Sequence, residues 1–444
     1  MKIHLVSLGC ARNMIDSEVM LGHLKRAGAV IVDDPAEAEA VVVNTCSFIE
    51  PAVNESIDTI LELARLKKEG HCRRLVVTGC LPERYRGDIV SALPEVDVFL
   101  GTGAFDRVVE AVDGHLNPST CILPDPDSLL FSGAAPPRVR SAGPMAYLKI
   151  AEGCSKHCTY CIIPRLRGKQ KSRPAADILA EARQLIQNGV REIVLVSQDT
   201  TAYGSDLPQG PTLADLLAEL ADMAAGGARD EHGTWIRFMY GHPESIEAEV
   251  ITTVAKHSNI CSYFDIPIQH AGDAVLKRMG RRYSRQDLLG MIDHIRTHVP
   301  DAAIRTTVIV GFPGETDRDF EQLLEFIETE RFEHLGCFVY SDSEDLPSHW
   351  LSGMVPKAVA QKRYNTLMAR QKQISTDRNR RYLGKTLDIL VEEKLESGLY
   401  AGRTAFQAPE VDGLTYIHAE DLTVGEFTAA TIADTFEYDL IGRH

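Results

Sequence analysis

The sequence predicts an α/β chain with an N-terminal parallel α/β domain, a central partial (βα)6 barrel and a small C-terminal β-barrel. Strand-length apolar runs alternate with amphipathic helices as far as about residue 356, the pattern of parallel sheets covered by helices. Residues 123–144 interrupt this alternation with several prolines, and after residue 384 short β-branched runs with frequent glycines replace the helices. A chain of 444 residues is long enough for several hydrophobic cores.

Composition and charge exclude several classes of protein. The formal net charge of −16 argues against indiscriminate binding to nucleic acid, because neutralising phosphates requires Lys and Arg. No apolar run reaches the length of a membrane span, and the first ten residues contain no signal-peptide cleavage site, so we expect a cytoplasmic chain with no membrane partner. Ten cysteines in such a chain predict metal or redox chemistry rather than disulfides.

The N-terminal domain, residues 1–122, is predicted to alternate strands at 3–8, 41–44 and 75–78 with helices at 16–27 and 53–68. A cysteine follows each strand almost at once, at Cys10, Cys46 and Cys80. The carboxyl ends of parallel strands meet at one edge of a sheet, so we expect the three thiols to converge there. One such cysteine would be an ordinary core residue. Three in the same structural position predict a cluster site.

Residues 123–144 carry five prolines and predict an extended connector: Pro124, Pro126, Pro136, Pro137 and Pro144. Residues 145–356 are predicted to form the partial barrel, with strands at 147–151, 193–197, 235–240, 263–268, 304–312 and 335–341. Its helices include 176–188, 213–224, 285–298 and 317–329. Barrels of this kind keep their chemistry at the C-terminal ends of the strands, so the cysteine-rich loop after the first strand belongs to that face.

Residues 357–383 are predicted as a basic linker helix, with eight basic residues and one acidic residue between Lys357 and Arg381. Residues 384–444 predict a small β-barrel about the size of an oligonucleotide-binding fold, with strands such as 387–391, 416–418 and 428–432. This last segment has twelve acidic residues and four basic ones. A barrel that grips RNA should present Lys and Arg, so an acidic barrel predicts a basic protein partner. The basic helix can either touch RNA beside that partner or neutralise the barrel next to it.

Cys154, Cys158 and Cys161 place three thiols within eight residues. Thiolates at this spacing predict an iron–sulfur cube that keeps one iron open. The alternative is a structural zinc knuckle, which requires four closed ligands. His157 would have to be the fourth ligand, and its place between two of the cysteines is cramped for one tetrahedral ion. Cys72, Cys121, Cys261 and Cys337 share no spacing and are predicted to be structural.

The cysteine loop, with Tyr160 before its last cysteine, resembles the signature of the radical S-adenosylmethionine (SAM) enzymes. Seven further segments resemble the methylthiotransferases within that group: residues 7–13, 16–18, 43–49, 78–80, 161–168, 267–270 and 310–316. The resemblance covers essentially the whole chain, because the C-terminal barrel is similar to the TRAM domain. It therefore implies that the chain is a radical SAM methylthiotransferase.

The resemblance implies two 4Fe–4S clusters and SAM as cofactors. The SAM-cleaving cluster would be held by Cys154, Cys158 and Cys161, where reduction of SAM yields a 5′-deoxyadenosyl radical. The second cluster would be held by Cys10, Cys46 and Cys80 and would carry the sulfur that SAM methylates before its transfer to a substrate radical. The resemblance also implies an electron donor such as flavodoxin or ferredoxin.

Other contacts with SAM are implied less directly. Tyr160 would support the adenine largely through its backbone. Gly311, Pro313 and Gly314 would contact SAM, and the alternative for them is a simple turn after a strand. Residues 197–199 occupy the place of a SAM-binding motif but lack its usual Gly-Gly-Glu sequence. His270 is either a site residue or a hydrogen-bonded structural histidine.

The methylthiotransferases divide by substrate into enzymes for adenosine in transfer RNA and enzymes for the β-carbon of an aspartate in small-subunit ribosomal protein S-twelve. The acidic barrel favours the ribosomal protein, either free or within the small subunit, and residues 196–204 and 437–444 resemble the aspartate-modifying members. The transfer RNA enzyme remains the alternative. A non-catalytic, metal-stabilised adaptor that binds the ribosome is the alternative from another class, although a purely structural site would fill its fourth ligand position.

Overall fold

The computed structural model of the protein describes residues 1–128, 138–140, 142–226 and 233–444. Pro136 and Pro137 of the predicted connector lie outside these residues. The chain forms two compact units. The first contains Met1–Ser141, Ala151–Lys156 and Cys161–Asp177, and the second contains Ala142–Ile150, His157–Tyr160 and Ile178–His444.

The secondary structure alternates strands and helices until the last sixty residues. The strands are β1 Lys2–Ser7, β2 Val30–Ile31, β3 Ala40–Thr45, β4 Arg74–Gly79, β5 Val98–Leu100, β6 Thr120–Ile122, β7 Met145–Lys149, β8 Ala151–Glu152, β9 Lys171–Ser172, β10 Glu192–Val196, β11 Trp235–Phe238, β12 Tyr263–Asp265, β13 Ala303–Val310, β14 His334–Val339, β15 Thr386–Glu396, β16 Leu399–Thr404, β17 Thr415–His418, β18 Phe427–Thr435 and β19 Leu440–Arg443. The helices are α1 Ala11–Arg26, α2 Glu50–Ala64, α3 Leu66–Glu69, α4 Cys80–Tyr85, α5 Gly87–Ala92, α6 Val108–Val112, α7 Ile163–Arg167, α8 Ala175–Gln187, α9 Leu213–Gly226, α10 Ala248–Lys256, α11 Asp273–Arg278, α12 Arg285–His298, α13 Asp317–Glu330 and α14 Lys357–Asn379.

The first unit is built on a six-stranded parallel sheet with the order β2-β1-β3-β4-β5-β6. Successive residues of its central strands face two separate cores. Val41 and Val43 lie in one core, and Val42 and Val76 lie in the other. Both faces of the sheet are therefore covered, as the near-continuous apolar strands predict.

Helix α1 begins at Ala11, five residues before its predicted start. Asn13, Asp16 and Glu18 of its first turns are polar and buried. These buried polar residues conceal the apolar period from which the start of a helix is read. Cys10 occupies the N-cap position of this helix.

The second unit contains six parallel strands in two three-stranded sheets with the orders β11-β10-β7 and β12-β13-β14. A parallel bridge between Ile236 and Ile260 connects the two sheets. Helices α8 to α13 alternate with these strands in the chain. The predicted partial (βα)6 barrel is thereby confirmed, with its strands joined in two halves.

The C-terminal segment is a closed barrel of five strands with the order β15-β16-β17-β19-β18, as predicted. Ile389, Val391, Tyr400, Ile417 and Ala430 form its core. The preceding helix α14 and the short 3-10 helix Arg380–Tyr382 carry the basic residues, and most of these bind carboxylates of the same unit. The paired cations are Arg363 with Asp317, Arg370 with Glu328, Lys372 with Glu437, Arg378 and Arg381 with Glu333, and Arg380 with Asp377. The charge of the helix is therefore largely neutralised within the chain.

The C-terminal barrel is joined to the amino-terminal ends of the central strands by buried polar contacts. Glu192, the first residue of β10, accepts hydrogen bonds from Arg237 Nε at 2.7 Å and from Arg403 Nη2 at 2.5 Å. The Tyr263 hydroxyl, at the start of β12, donates to Asp412 Oδ2 at 2.6 Å. Buried charges and hydroxyls that satisfy one another fix the geometry of such a contact. The C-terminal barrel is thus held at the end of the central barrel opposite to the cysteine loop.

Replacing Arg403 with methionine should destabilise the second unit by about 3–5 kcal/mol, because Glu192 and Glu392 would lose a buried partner. Burial raises the pKa of Glu192, but Arg403 and Arg237 outweigh that effect and hold it below the ordinary value of 4.5. A carboxyl with a lowered pKa stabilises the fold above its unfolded-state pKa, and this stabilisation is lost as the pH falls. The difference in the free energy of urea unfolding between the wild type and Arg403→Met should therefore be full at pH 7 and shrink below about pH 4.

Arg443→Met is the matched control, because Arg443 is exposed on β19 of the same barrel. Its free energy of unfolding should stay within about 0.5 kcal/mol of the wild-type value. Equal stability of Arg403→Met and Arg443→Met at pH 7 would show that the buried pair does not hold the two barrels together.

Candidate functional site

Three strands of the first unit end level with one another and deliver the three predicted cysteines. Ser7 of β1 is paired with Asn44 of β3, and Asn44 is paired with Thr78 of β4. Cys10 and Cys80 stand at the starts of helices α1 and α4, and Cys46 lies directly after β3. The sheet therefore brings all three cysteines to its carboxyl edge, where open α/β sheets bind ligands.

Two glycines allow the loops at this edge to approach one another. A Cβ atom on Gly9, whose φ is +95°, would lie 2.8 Å from Cys46 Cβ and 3.2 Å from Cys46 Sγ. A Cβ atom on Gly79, whose φ is +94°, would lie 2.4 Å from Asn44 Oδ1. Both positions combine a left-handed backbone with a close contact, and both require glycine. The two Gly-Cys sequences are thus explained by the packing of neighbouring cysteine loops.

Two buried asparagines tie these loops together. Asn13 Nδ2 donates to Leu8 O at 3.0 Å and to Thr45 O at 2.8 Å, bridging the ends of β1 and β3. Asn44 Nδ2 donates to Asn13 O at 2.8 Å and to Ser17 Oγ at 2.9 Å. Buried amides that use both donors in this way hold the backbone in one arrangement. The cysteines are therefore carried on a rigid edge.

A buried arginine lies against this edge. Arg167 is 3% exposed, and its Nη1 is 3.1 Å from Asp16 Oδ2 and 3.0 Å from Glu152 Oε1. Its Nη2 donates to Asn13 Oδ1 and lies 3.8 Å from Cys80 Sγ. A guanidinium offers five donors in a fixed fork, so it can bind two carboxylates and still face a thiol. This positive charge would offset thiolates gathered at the strand ends.

The pKa values of Cys10 and Cys80 are shifted in opposite directions, because burial and the nearby arginines have opposite effects on a thiol. Burial raises the pKa of Cys10, but Arg12 and Arg167 outweigh it and lower the pKa below the usual value. Burial raises the pKa of Cys80 to about 11 despite Arg167. Binding to a metal deprotonates a thiol outright, whatever its pKa in the free protein.

Three free thiols at one sheet edge, beside a buried cation, fit a 4Fe–4S cluster, in which each iron takes its own thiolate. Among the described residues, no group of three or more His, Cys, Asp and Glu side chains is arranged to hold a single metal ion.

The cysteine loop is divided between the two units, with Cys154 and Cys161 in the first and Cys158 in the second. In the first unit, the Cys154 N–H donates to Gly168 O at 3.0 Å. Gly153 has a φ of +78°, and a Cβ atom there would lie 2.1 Å from Lys169 O. The start of the loop is therefore held by the segment that follows α7, in a conformation that only glycine permits.

In the second unit, the segment around Cys158 packs on the end of helix α11. The Thr159 N–H donates to Met279 O at 3.0 Å. Gly280 has a φ of +76°, and a Cβ atom there would lie 2.6 Å from His157 O. The loop thus depends on backbone contacts with residues more than a hundred positions away, which sequence spacing does not reveal.

The side chain of Tyr160 is occupied within the second unit. Its hydroxyl accepts a hydrogen bond from Arg281 Nε at 3.0 Å, and its ring meets Phe312 edge-on with centroids 6.2 Å apart. Burial lowers the pKa of Arg281, but Tyr160, Tyr283 and Cys158 outweigh it and hold that pKa above the usual value. The expected adenine contact of Tyr160 concerns its backbone, and it stays a prediction.

The turn that contains Gly311, Pro313 and Gly314 follows β13. Gly311 has a φ of +76°, and a Cβ atom there would lie 2.4 Å from Ala360 Cβ. Gly314 has a φ of +86° and faces Arg278 Nε in the same way, and this Nε donates to Pro313 O at 2.8 Å. The packing of the turn therefore explains both glycines, and their contact with SAM stays a prediction.

Two other polar residues near the strand ends have structural partners. The carboxylate of Asp199 accepts hydrogen bonds from Thr201 Oγ1 at 2.9 Å and from Ser245 Oγ at 3.0 Å. His270 is fully buried, and its Nδ1 accepts a hydrogen bond from the Gly272 N–H at 2.8 Å. These contacts give both residues a role in holding the loops, and the SAM contact of residues 197–199 stays a prediction.

Sequence reasoning missed the two buried arginines of the site. Arg167 lies six residues after Cys161, inside a segment that resembles the methylthiotransferases, and an arginine there is a visible signal. Arg281 lies in an ordinary basic pair with Arg282 and gives no signal. Their importance follows only from burial beside Cys80 and Tyr160 respectively.

Three family models match successive parts of the chain. Uncharacterized protein family UPF0004 matches residues 2–101, the Radical SAM superfamily matches residues 148–327, and the TRAM domain matches residues 383–444. The protein named ribosomal protein uS12 methylthiotransferase RimO from Desulfosudis oleivorans is 52% identical over 445 residues, and the alignment covers all of both chains. The chain belongs to this methylthiotransferase family. Proteins of the same name from Clostridioides difficile and Geobacter sulfurreducens are 45% and 44% identical, with all of this chain and 98% of each relative covered.

Membership in the RimO family confirms the predicted radical SAM methylthiotransferase. A 4Fe–4S cluster and SAM are the cofactors of this class of enzyme, in agreement with what the family resemblance implies. Among the described residues, no helix has the length and apolar character needed to cross a membrane.

Solved structures support the fold alone. The radical SAM methyltransferase TsrM from Kitasatospora setae matches with a TM-score of 0.59 at 13% identity, covering 84% of this chain and 89% of that one. The cobalamin-dependent radical enzyme OxsB matches with a TM-score of 0.52 at 11% identity, covering 84% of this chain and 56% of that one. Both support the α/β fold over the part of this chain that they cover.

Proposed function

We propose that this enzyme attaches a methylthio group to the β-carbon of an aspartate in ribosomal protein uS12, the small-subunit protein S-twelve. The observation that carries the proposal is the full-length identity of 52% with a protein named as a methylthiotransferase of ribosomal protein uS12, and the aspartate is what the resemblance to the aspartate-modifying members implies. The acidic C-terminal barrel supports it, since a basic ribosomal protein is attracted to a negative surface.

Two 4Fe–4S clusters belong to this proposal. The SAM-cleaving cluster is held by Cys154, Cys158 and Cys161, and the auxiliary cluster is held by Cys10, Cys46 and Cys80. When bound, the first supplies a carbon-centred radical from SAM, and the second supplies sulfur. Gly311, Pro313, Gly314 and the backbone of Tyr160 contact SAM.

The chain's own residues prepare these sites. Asn13 and Asn44 hold the strand-end loops that carry the auxiliary cysteines. Arg167 places a positive charge beside Cys80, and Arg281 holds Tyr160 next to Cys158. Preorganised charges of this kind act most strongly in a buried environment of low dielectric constant.

The proposal also covers the electron donor, the contact with RNA and the domain boundaries. Electrons come from a donor such as flavodoxin or ferredoxin. Direct contact with RNA through α14 is secondary, because Arg363 and Arg370 of that helix each bind a carboxylate at 2.7 Å. The domains divide at 1–122, 123–144, 145–356, 357–383 and 384–444.

Incubation of the reconstituted enzyme with SAM, a reductant and purified uS12 is expected to add the mass of one methylthio group to a single aspartate-containing peptide. Mass spectrometry of digested uS12 measures the product, and a parallel reaction with transfer RNA measures the alternative. Cys158→Ala is the control without SAM cleavage. Methylthiolation of adenosine in transfer RNA, with none on uS12, would overturn the substrate. Stoichiometric zinc without SAM cleavage would favour a metal-stabilised adaptor over the enzyme.

A further inference from the structure

An exposed tryptophan lies in the segment that follows the last strand of the central barrel. Trp350 is 78% exposed, whereas Trp235, the other tryptophan of the chain, is 6% exposed. Trp350 ends the short 3-10 helix Pro347–Trp350, which comes after β14. Segments that follow barrel strands line the face where barrels bind their substrates. Trp350 is therefore presented on the substrate-binding face.

Hydrogen bonds fix this segment to the cysteine loop. The Ser348 N–H donates to Thr159 O at 3.0 Å, and Thr159 is the residue after Cys158. Ser348 Oγ accepts a hydrogen bond from the Tyr340 hydroxyl at 2.8 Å, and Ser348 is fully buried. Trp350 is two residues from this anchor. An aromatic side chain that is already positioned loses little freedom on binding, which favours affinity.

The chain segment that leads to Trp350 is acidic. The ten residues from Ser341 to Trp350 include Asp342, Glu344 and Asp345, and they contain no Lys or Arg. Asp342 Oδ2 is 2.8 Å from His349 Nδ1, and the His349 ring meets Trp350 edge-on with centroids 4.9 Å apart. The face of an indole attracts cations more strongly than that of any other side chain, and nearby carboxylates strengthen that attraction.

We propose that Trp350, together with Asp342 and Glu344, is a docking surface for a Lys or Arg side chain of the protein substrate near its target aspartate. This inference rests on the proposed function, because it takes uS12 as the substrate. An aromatic platform for RNA is normally accompanied by cations that bind the phosphates, and the sequence around Trp350 supplies carboxylates instead. The geometry thus matches a basic protein segment.

Binding of purified uS12 to the full-length reconstituted enzyme tests the docking surface. Trp350→Ala should weaken binding and raise the KM for uS12 about tenfold, because buried aromatic anchors carry much of the binding energy of an interface. SAM cleavage in the absence of uS12 should not change. Trp350→Phe should retain part of the affinity, since the phenyl face is a weaker site for cations. Leu61→Ala, at an exposed apolar position of α2, is the control and should bind normally.

The charge is tested separately with Glu344→Lys. This change should weaken uS12 binding and reduce its dependence on salt concentration. Stronger binding of RNA by Glu344→Lys, with unchanged binding of uS12, would overturn the docking surface as a site for a basic protein. Unchanged uS12 affinity in Trp350→Ala would overturn it too, while methylthiolation of uS12 by the wild type would still support the proposed function. A wild type that modifies transfer RNA and not uS12 would overturn both.

Discussion

Cys10→Ala should leave SAM cleavage close to the wild-type level and abolish methylthiolation, whereas Cys158→Ala should abolish both. The physical reason is that the two cysteines serve different clusters in the proposed enzyme. Cys10 lies at the carboxyl edge of the first unit's sheet, and Cys158 lies in the loop packed on Met279 and Gly280 of the second unit. Loss of one thiolate removes the cluster that it holds and leaves the other with its three ligands.

Two assays separate these steps, chromatography of 5′-deoxyadenosine for SAM cleavage and mass spectrometry of uS12 for sulfur insertion. Iron analysis should give about eight irons per chain for the wild type and about four for each variant. Cys121→Ala is the matched control, because Cys121 lies on β6 of the same sheet, which β5 separates from the three strands that precede the cysteine loops, and it should retain both activities. If Cys10→Ala loses SAM cleavage as completely as Cys158→Ala, the two sets of cysteines do not hold independent clusters.

Arg167→Met should destabilise the first unit by about 3–5 kcal/mol, because removing one partner of a buried ion pair leaves the other charge uncompensated. The substitution would leave Asp16 and Glu152 buried without their cation, 3.1 and 3.0 Å from where Nη1 now lies. Arg167→Lys should recover only part of this loss, because an ammonium group cannot copy the fork that also reaches Asn13 and Cys80. Urea unfolding of the cluster-free chain at pH 7 measures the effect.

A spectroscopic measurement distinguishes a purely structural Arg167 from one that also acts on the auxiliary cluster. Removing a positive charge beside a cluster thiolate should lower the cluster's reduction potential. Arg107→Met is the control for charge removal, because Arg107 forms an exposed ion pair with Glu110, and losing such a pair should leave the stability close to that of the wild type. Equal unfolding free energies for Arg167→Met and Arg107→Met would contradict the role of the buried guanidinium.

The sequence predicts the fold well where local pattern and tertiary structure agree. Alternation of apolar strands with helices identifies the parallel sheet, the partial barrel and the closed C-terminal barrel. It overestimates β12, predicted over 263–268 and observed as Tyr263–Asp265. At Ile268 the N–H is bonded to the Thr306 hydroxyl, a side-chain contact that interrupts the strand ladder before a parallel bridge resumes at Gln269. Such a replacement leaves no trace in the apolar pattern.

The candidate site also has a part that the sequence predicts and a part that it does not. The positions of the cysteines can be predicted because each stands next to a strand in the sequence. The contacts of the arginine that faces them could not be predicted, because Arg167 and Asp16 are 151 residues apart. The neutralisation of the basic segment at residues 357–381 could not be predicted either, because counting residues cannot show that Arg378 and Arg381 share Glu333.

The attachment of the C-terminal barrel at the amino-terminal ends of the central strands limits what it can touch. Strand β13 has eight residues and is about 25 Å long, so its amino-terminal end is separated from its carboxyl end by about that distance. A short peptide at the cysteine loop would not reach the acidic barrel, whereas a whole folded ribosomal protein could span both. The size of the substrate therefore decides how much of the enzyme takes part in holding it.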